Sequence, residues 1–307
     1  MRAIQVSEHG GPDVLLAAEI DPPVPGPADL LVDAAAIGVN YIDTYHRSGA
    51  YSMTLPFVPG MEGAGTVRAV GADVTEFAVG DRVAWATVLG SYAAQVVVPA
   101  GSAVPVPDGV DDQTAAAAML QGMTTQYLLT STFPVAAGHT VLVHAAAGGV
   151  GLLLTQWAKN VGARVIGTVS TDAKAELARA AGADEIIRYT DADVTVEVQR
   201  LTDGAGVHVV YDGVGRDTFD ASLASLRRRG MLVLFGASSG PVPPFDLQRL
   251  NAGGSLFVTR PTLAHHVAER TELLWRSGEV FDLIASKKLV VRIGGRYPLA
   301  DAGKAHD

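Results

Sequence analysis

The stretch NYIDTYHRSGAY, residues 40–51, gathers hydrogen-bond donors able to act on a carbonyl oxygen. Asn40 carries an amide that can donate to a substrate or cofactor oxygen. Tyr45 carries a phenol that can donate and transfer a proton, and Tyr51 is a second phenol further along the same loop. Asp43 lies between them and can orient the group. Donors placed where negative charge develops stabilise an oxyanion without reorganising during the reaction. The competing role is packing under a loop for Tyr45 and Tyr51, and a turn for Asn40.

A second chemistry-bearing stretch is VLVHAAAGGVG, residues 141–151. An apolar strand runs into a Gly-rich turn and then into a helix, LLLTQWAKNVG. The turn reads Ala146-x-Gly148-x-x-Gly151, a variant of the dinucleotide fingerprint with Ala first. Gly148 leaves the backbone bare for a pyrophosphate, and Gly151 lets the helix pack closely on the strand. The helix N-terminus offers free N–H groups and the positive end of its dipole. The cradle is expected to be Ala147, Gly148, Gly149 and Val150. In a strand–turn–helix context the pattern is specific; alone it would be weak.

An acidic residue closing the second strand would bind the ribose hydroxyls and repel a 2′-phosphate. Here that strand contains Thr168, itself expected to contact the cofactor, and ends at the neutral Ser170, in GTVSTDAK; Lys174 follows, and Arg188 and Tyr189 close the next strand. Ser170, Lys174 and Tyr189 suit a phosphate, so the expected cofactor is NADPH. Asp172 argues the other way: pointing into the pocket, it would favour NAD. An exposed first-turn residue is the competing role for Lys174.

Two kinds of scaffold must hold these groups. Residues 1 to about 120 are β-rich: MRAIQVS, LLVDAAAIGVN, GAGTVRAVG, DRVAWAT and AAQVVVP are short strand-like runs punctuated by Gly, Pro and Asp. QTAAAAMLQGMTTQYLLTST is helical. From there β and α units alternate, with helices expected from Val150 to Val161, Asp172 to Ala181, Asp193 to Leu201 and Thr218 to Leu226. Alternation with apolar strands implies an α/β fold, a doubly wound parallel sheet covered on both faces. LFVTRP adds a strand, and TLAHHVAERTELLWRSGEV reads as one long amphipathic helix.

The 307 residues include 34 glycines and no cysteine, and the net charge is −9. Disulfides and thiolate metal sites are excluded. The acidic balance disfavours nucleic acid, whose binding requires positive surface. No signal peptide and no apolar run of membrane-spanning length is read, so a cytoplasmic protein without membrane contact is expected.

HGGPDVL, AIGVNYIDTYHRSGAY, PGMEGAG, GDRVAW, LQGMTTQYLL, HAAAGGVG, VVYDGVGRDTF, LFGASSG and LFVTRP together resemble the zinc-free NADPH:quinone oxidoreductases, the zeta-crystallin-like group of the medium-chain dehydrogenases/reductases. The resemblance covers nearly the whole chain. It implies a GroES-like catalytic domain over 1–121, an inserted Rossmann domain over 122–258 and a return to the catalytic domain over 259–307. It places the cofactor between the two domains and implies a homodimer paired through the strand around Leu256 and Thr259. It sets Asn40, Tyr45 and Tyr51 along the substrate cleft, with Gln121 and Thr124 approaching it and Tyr127 nearer the cofactor. It sets Gly213, Val214, Phe235, Gly236, Ser238, Phe257 and Val258 near the nicotinamide half.

In zinc-dependent relatives a histidine ligand precedes the glutamate of the PGMEGAG turn; here that position is Met61. His265 and His266 are adjacent and point apart on a helix. His46, His139, His144 and His208 read as surface or strand-end residues. No metal is therefore expected. Without a Lewis acid, alcohol oxidation fits poorly, and quinones or unsaturated carbonyls fit better because conjugation delivers charge to an oxygen that donors can hold. Quinone reduction is the leading expectation; an alkenal or enone reductase and a non-catalytic, crystallin-like NADPH-binding protein are the alternatives. The resemblance also implies more of the PLADAGKAHD helix and a final strand that completes the catalytic domain, often with a basic residue near the 2′-phosphate.

Overall fold

The computed structural model describes residues 1–307. They form two compact units: Met1–Met123 with Val267–Ala285 and Val291–Asp307, and Thr124–His266 with Ser286–Val290.

In the first unit, β1 (Arg2–Gln5) pairs antiparallel with β2 (Leu16–Glu19). Strands β3 (Asp29–Ile37), β4 (Glu62–Val70), β5 (Arg82–Ala86), β6 (Gln95–Pro99) and β7 (Ala103–Pro105) build an antiparallel sheet in the order β6-β3-β4-β5-β7. Alternate residues face inward, as a pleated strand requires. Leu30, Val32, Val67, Val83, Trp85, Val96 and Val98 thus meet in one apolar core. Between β3 and β4 the chain forms α1 (Tyr41–Ser48), and after β7 it forms α2 (Asp112–Tyr127).

The second unit is a six-stranded parallel sheet in the order β10-β9-β8-β11-β12-β13. Its strands are β8 (Thr140–Val143), β9 (Arg164–Val169), β10 (Glu185–Arg188), β11 (Val207–Asp212), β12 (Leu226–Leu234) and β13 (Phe257–Thr259). The helices are α3 (Gly149–Val161), α4 (Asp172–Ala180), α5 (Val194–Leu201), α6 (Phe219–Ala224), α7 (Gln248–Ala252) and α8 (Leu263–His266). The strand order reverses between β8 and β11, and the crevice outside the carboxyl ends at such a switch point is where α/β sheets bind ligands. The chain then returns to the first unit through α9 (Arg270–Ala285) and ends in α10 (Ala302–His306). No helix is long and apolar enough to cross a membrane.

Three expectations are corrected. Residues 41–48 are helical, not a loop: Asn40 caps α1 and Asp43, at its third position, accepts the Asn40 backbone N–H, one half of a capping box. The expected long helix is two, α8 and α9, separated at residues 267–269. His46, read as a surface or strand-end residue, is buried within α1, whereas His144 stands at the end of β8 as read, and is buried there. The short strands β2 and β7 were not expected; one is mostly exposed and the other has three residues, so neither carries a clear alternation.

Candidate active site

In the first unit the site is built around Asn40. Its side-chain nitrogen donates to Glu62 Oε1 at 2.6 Å, and its amide oxygen accepts from Gln121 Nε2 at 3.3 Å. Glu62 opens β4 and is fully buried. Its second oxygen accepts the Leu120 backbone N–H, within α2, at 2.6 Å. Burial pushes the Glu62 carboxyl up to about 8; the donors from Leu120 and Asn40 oppose this, and the nearby Asp43 adds to it. Gly38 makes room for this carboxyl, since a Cβ there would lie 2.1 Å from Glu62 Oε1.

Asp43 supports Asn40 from the other side. Its Oδ2 accepts the Asn40 N–H at 2.9 Å and the Tyr92 phenol at 3.1 Å. Burial raises Asp43 to about 7 against those two donors. His306 Nε2 lies 2.9 Å from the Tyr92 oxygen, and Arg47 Nε donates to His306 Nδ1 at 3.2 Å. Burial, with Arg47 beside it, lowers His306 to about 4, so its ring is neutral.

Tyr45 and Tyr51 are brought together, with ring centroids 5.1 Å apart, and Tyr41 meets the other side of Tyr45 at 5.4 Å. Tyr41 and Tyr51 are exposed, so this aromatic row faces outward. Gln121 and Thr124 are on α2, whose last turn, from Thr124, belongs to the second unit. Thr124 is buried there, and Tyr127 is buried in a stack on the His266 ring at 4.1 Å.

In the second unit the Gly-rich turn leaves β8 at the switch point. A Cβ on Gly151 would lie 2.3 Å from the Ala145 carbonyl oxygen, so helix and strand meet backbone to backbone. At Gly148 the same oxygen is 3.2 Å from an added Cβ and nothing else is close, which leaves that backbone open. No side chain caps α3, so its first N–H groups are available to an anion. Ala147, Gly149 and Val150 line the same turn.

Behind the turn lies a buried polar network. His144 Nδ1 meets Thr168 Oγ1 at 3.0 Å, and its Nε2 meets Ser222 Oγ at 3.0 Å. Ser222 donates to Asp212 Oδ2 at 2.7 Å, so it accepts from His144, whose proton is on Nε2. Asp212 Oδ1 accepts the Val214 and Gly215 N–H groups at 2.8 and 3.0 Å. Burial lowers His144, opposed by the Asp212 charge. The Thr168 hydroxyl therefore holds His144, and the network ties the turn after β8 to the turn after β11. Phe235 N–H bonds to Asp212 O at 2.8 Å and Ser238 N–H to Gly213 O at 3.2 Å, so the Gly213–Val214 and Phe235–Gly236–Ser238 turns are bonded together. Phe257 and Val258 lie on the edge strand β13, Phe257 exposed.

At the tip of β9, Lys174 Nζ lies 3.4 Å from Ser170 Oγ, and Thr171 caps α4 by accepting the Lys174 N–H. Asp172 is paired with Arg188, which also holds Asp191. Tyr189 is exposed beside them. The bare turn, the open helix end and the Ser170–Lys174 pair fit a dinucleotide carrying a 2′-phosphate. Zinc does not fit: the chain has no cysteine, and no group of three His, Asp or Glu is placed to hold a metal.

Glu62, Tyr92, His306, His144 and Asp212 were not read as site residues from the sequence. The pairing of Asn40 and Asp43 three apart at the head of α1 was a readable capping signal. Bonds such as Asn40–Glu62 and Tyr92–His306 join residues 22 and 214 positions apart, which local pattern does not encode.

Residues 26–108 match the alcohol dehydrogenase GroES-like domain, and residues 149–270 the zinc-binding dehydrogenase model. A quinone oxidoreductase of Pseudomonas aeruginosa is 48% identical over 307 residues, 99% of this chain and 94% of the relative. The crystal structure of the Escherichia coli quinone oxidoreductase complexed with NADPH superposes with a TM-score of 0.98 at 45% identity, over 100% of this chain and 95% of that one. A 2-haloacrylate reductase of Burkholderia sp is 42% identical over 99% of this chain and 94% of its own length.

Proposed function

As the chain belongs to the quinone oxidoreductase family of medium-chain dehydrogenases/reductases, we propose that it is an NADPH-dependent oxidoreductase that reduces quinones without a metal. The observation that carries this is the bare Gly148 turn at the switch point, with Lys174 and Ser170 together at the tip of the next strand. NADPH, when bound, supplies the hydride.

The chain's own residues hold and orient. Ala147, Gly148, Gly149 and Val150, with the open end of α3, take the pyrophosphate. Ser170, Lys174 and Tyr189 take the phosphorylated ribose, and Thr168 keeps the turn in place through His144. Tyr127, Gly213, Val214, Phe235, Gly236, Ser238, Phe257 and Val258 serve the nicotinamide half. Asn40 and Tyr45 donate to the acceptor oxygen as it gains charge. Tyr51 lines the acceptor, Thr124 supports it, and Asp43 fixes the Asn40 backbone.

The working form is a homodimer joined through β13. That strand ends the parallel sheet, and an open edge is a template for pairing with a second chain. The enzyme works in the cytoplasm, where reduced NADPH is regenerated.

The 2-haloacrylate reductase relative supports a second reading, reduction of an activated double bond. Cofactor oxidation at 340 nm decides between them. NADPH and NADH are offered separately with 1,4-benzoquinone, 9,10-phenanthrenequinone and an alkenal, in chelator-treated buffer. Quinone turnover with NADPH is the expected result. Turnover of the alkenal alone favours the second reading, and tight NADPH binding without turnover favours a non-catalytic binding role.

A further inference from the structure

Glu62 has no role in the donor set described so far, yet three segments of the first unit converge on it. Asn40 reaches it from the head of α1, Leu120 from within α2, and Gly38 gives up a side chain to admit it. A wholly buried carboxyl is costly unless both oxygens are matched, and here each has one donor.

Both Glu62 oxygens serve as acceptors, Oε1 from Asn40 Nδ2 and Oε2 from the Leu120 N–H, each at 2.6 Å. The Asn40 amide thus presents its nitrogen, not its oxygen, to Glu62. Gln121, donating to the Asn40 oxygen at 3.3 Å, enforces the same choice from the opposite end. One of the two Nδ2 hydrogens is then engaged by Glu62, and the other is left to donate. The bond to Leu120 N–H is one residue before Gln121, so one side chain sets both partners.

We infer that Glu62 is a positioning residue for the reduction: it turns the Asn40 amide nitrogen toward its working direction and holds Gln121 in place to keep it there. The inference rests on the proposed role of Asn40 as a donor to the acceptor oxygen.

The test is a double-mutant cycle in the full chain with Glu62→Gln, Asn40→Ala and the pair. Glutamine keeps the size but can present either end to Asn40. In the otherwise wild-type chain Glu62→Gln is expected to lower kcat with 1,4-benzoquinone about 10- to 100-fold, the scale of a misplaced reacting group. The Kd for NADPH, read by fluorescence without acceptor, should stay within about twofold, the usual scatter between independent sites. On the Asn40→Ala background the same substitution should cost less than about twofold in kcat. An equal loss in both backgrounds, or no loss in the first, overturns the inference.

A second measurement needs neither turnover nor a variant at Glu62. In the wild-type protein without ligands, one Asn40 Nδ2 proton, assigned by its loss in Asn40→Ala, should resonate well downfield of its twin because it makes a short bond, 2.6 Å, to a Glu62 oxygen. Two ordinary amide protons would overturn the inference. If no acceptor is reduced while the downfield proton is present, the proposed function fails and the Glu62–Asn40 arrangement stands.

Discussion

Tyr92 donates its phenol to Asp43 Oδ2 at 3.1 Å, and His306 faces the same phenol oxygen at 2.9 Å. Arg47 can only donate, so its bond to His306 Nδ1 leaves the imidazole proton on Nε2, pointing at Tyr92. The file Arg47–His306–Tyr92–Asp43 ends on the carboxyl that accepts the Asn40 N–H. Helix α10 thereby braces the head of α1. Tyr92→Phe removes one of two donors to a buried carboxyl. It should lower unfolding stability by about 1–3 kcal/mol, the cost of leaving such a group short of a partner. Urea unfolding at pH 7 measures this, and an unchanged midpoint would mean that Asp43 is satisfied without Tyr92.

The two buried carboxyls also predict how stability changes with pH. Asp43 is raised to about 7 and Glu62 to about 8, from unfolded values of 3.8 and 4.5. Between those limits the folded chain binds more protons than the unfolded chain, so stability falls as pH rises. His306 acts in the opposite sense, because its folded value of about 4 lies below the unfolded 6.5; its contribution is complete above about pH 7. The midpoint of thermal unfolding should therefore decline from pH 7 to pH 9, and Asp43→Asn should reduce the decline. A midpoint that rises over that window would contradict the burial of both acids.

The same residues show what could be read from sequence. The Rossmann strands and helices were legible because apolar strands and helical periodicity recur, with Gly at several changes of direction such as Gly162, Gly182 and Gly206. The turn at Gly148 and Gly151 was legible because backbone approach permits few side chains. Helix α1 was read as a loop because, Ile42 aside, its eight residues are polar or aromatic, and only the Asn40–Asp43 cap marks it. Glu62 was seen only as a lone carboxylate beside Met61. Its role depends on Asn40, 22 residues earlier, and Leu120, 58 residues later. His144 stands next to the fingerprint, yet its partners Thr168 and Ser222, and Asp212 beyond Ser222, come from three other elements. Sidedness within a strand is periodic; long-range polar matching is not.

The two glycines of the fingerprint should separate stability from cofactor binding. At Gly151 an added methyl would lie 2.3 Å from a carbonyl oxygen and 2.9 Å from Ala146 Cα, both backbone atoms that cannot turn aside. Gly151→Ala should destabilise the second unit by about 1–3 kcal/mol, as overpacking does, and be visible in thermal unfolding without ligand. At Gly148 the nearest atom is 3.2 Å away, a contact that a small shift relieves. Gly148→Ala should keep nearly the wild-type unfolding midpoint and lose NADPH affinity, because the methyl occupies the pyrophosphate's approach. If Gly148→Ala binds NADPH normally, the phosphates do not lie against this turn.

Lys174 should decide the choice of cofactor. Arg188, the cation that closes the next strand, is already held by Asp172 and Asp191, and Asp172 is thereby turned to a partner of its own. Lys174 forms no ion pair and reaches only the Ser170 hydroxyl, so its charge is available to a 2′-phosphate. Lys174→Ala should weaken NADPH binding about tenfold, the equivalent of one solvent-exposed charge-assisted bond, and leave NADH within about twofold. The wild-type preference for NADPH should also shrink as salt is raised, since an exposed charge pair is screened over about 10 Å at 0.1 M. Fluorescence titration of both cofactors at two salt concentrations reads each effect. Equal losses for NADPH and NADH would place the phosphate elsewhere, and a preference untouched by salt would mean that it is set by shape rather than charge.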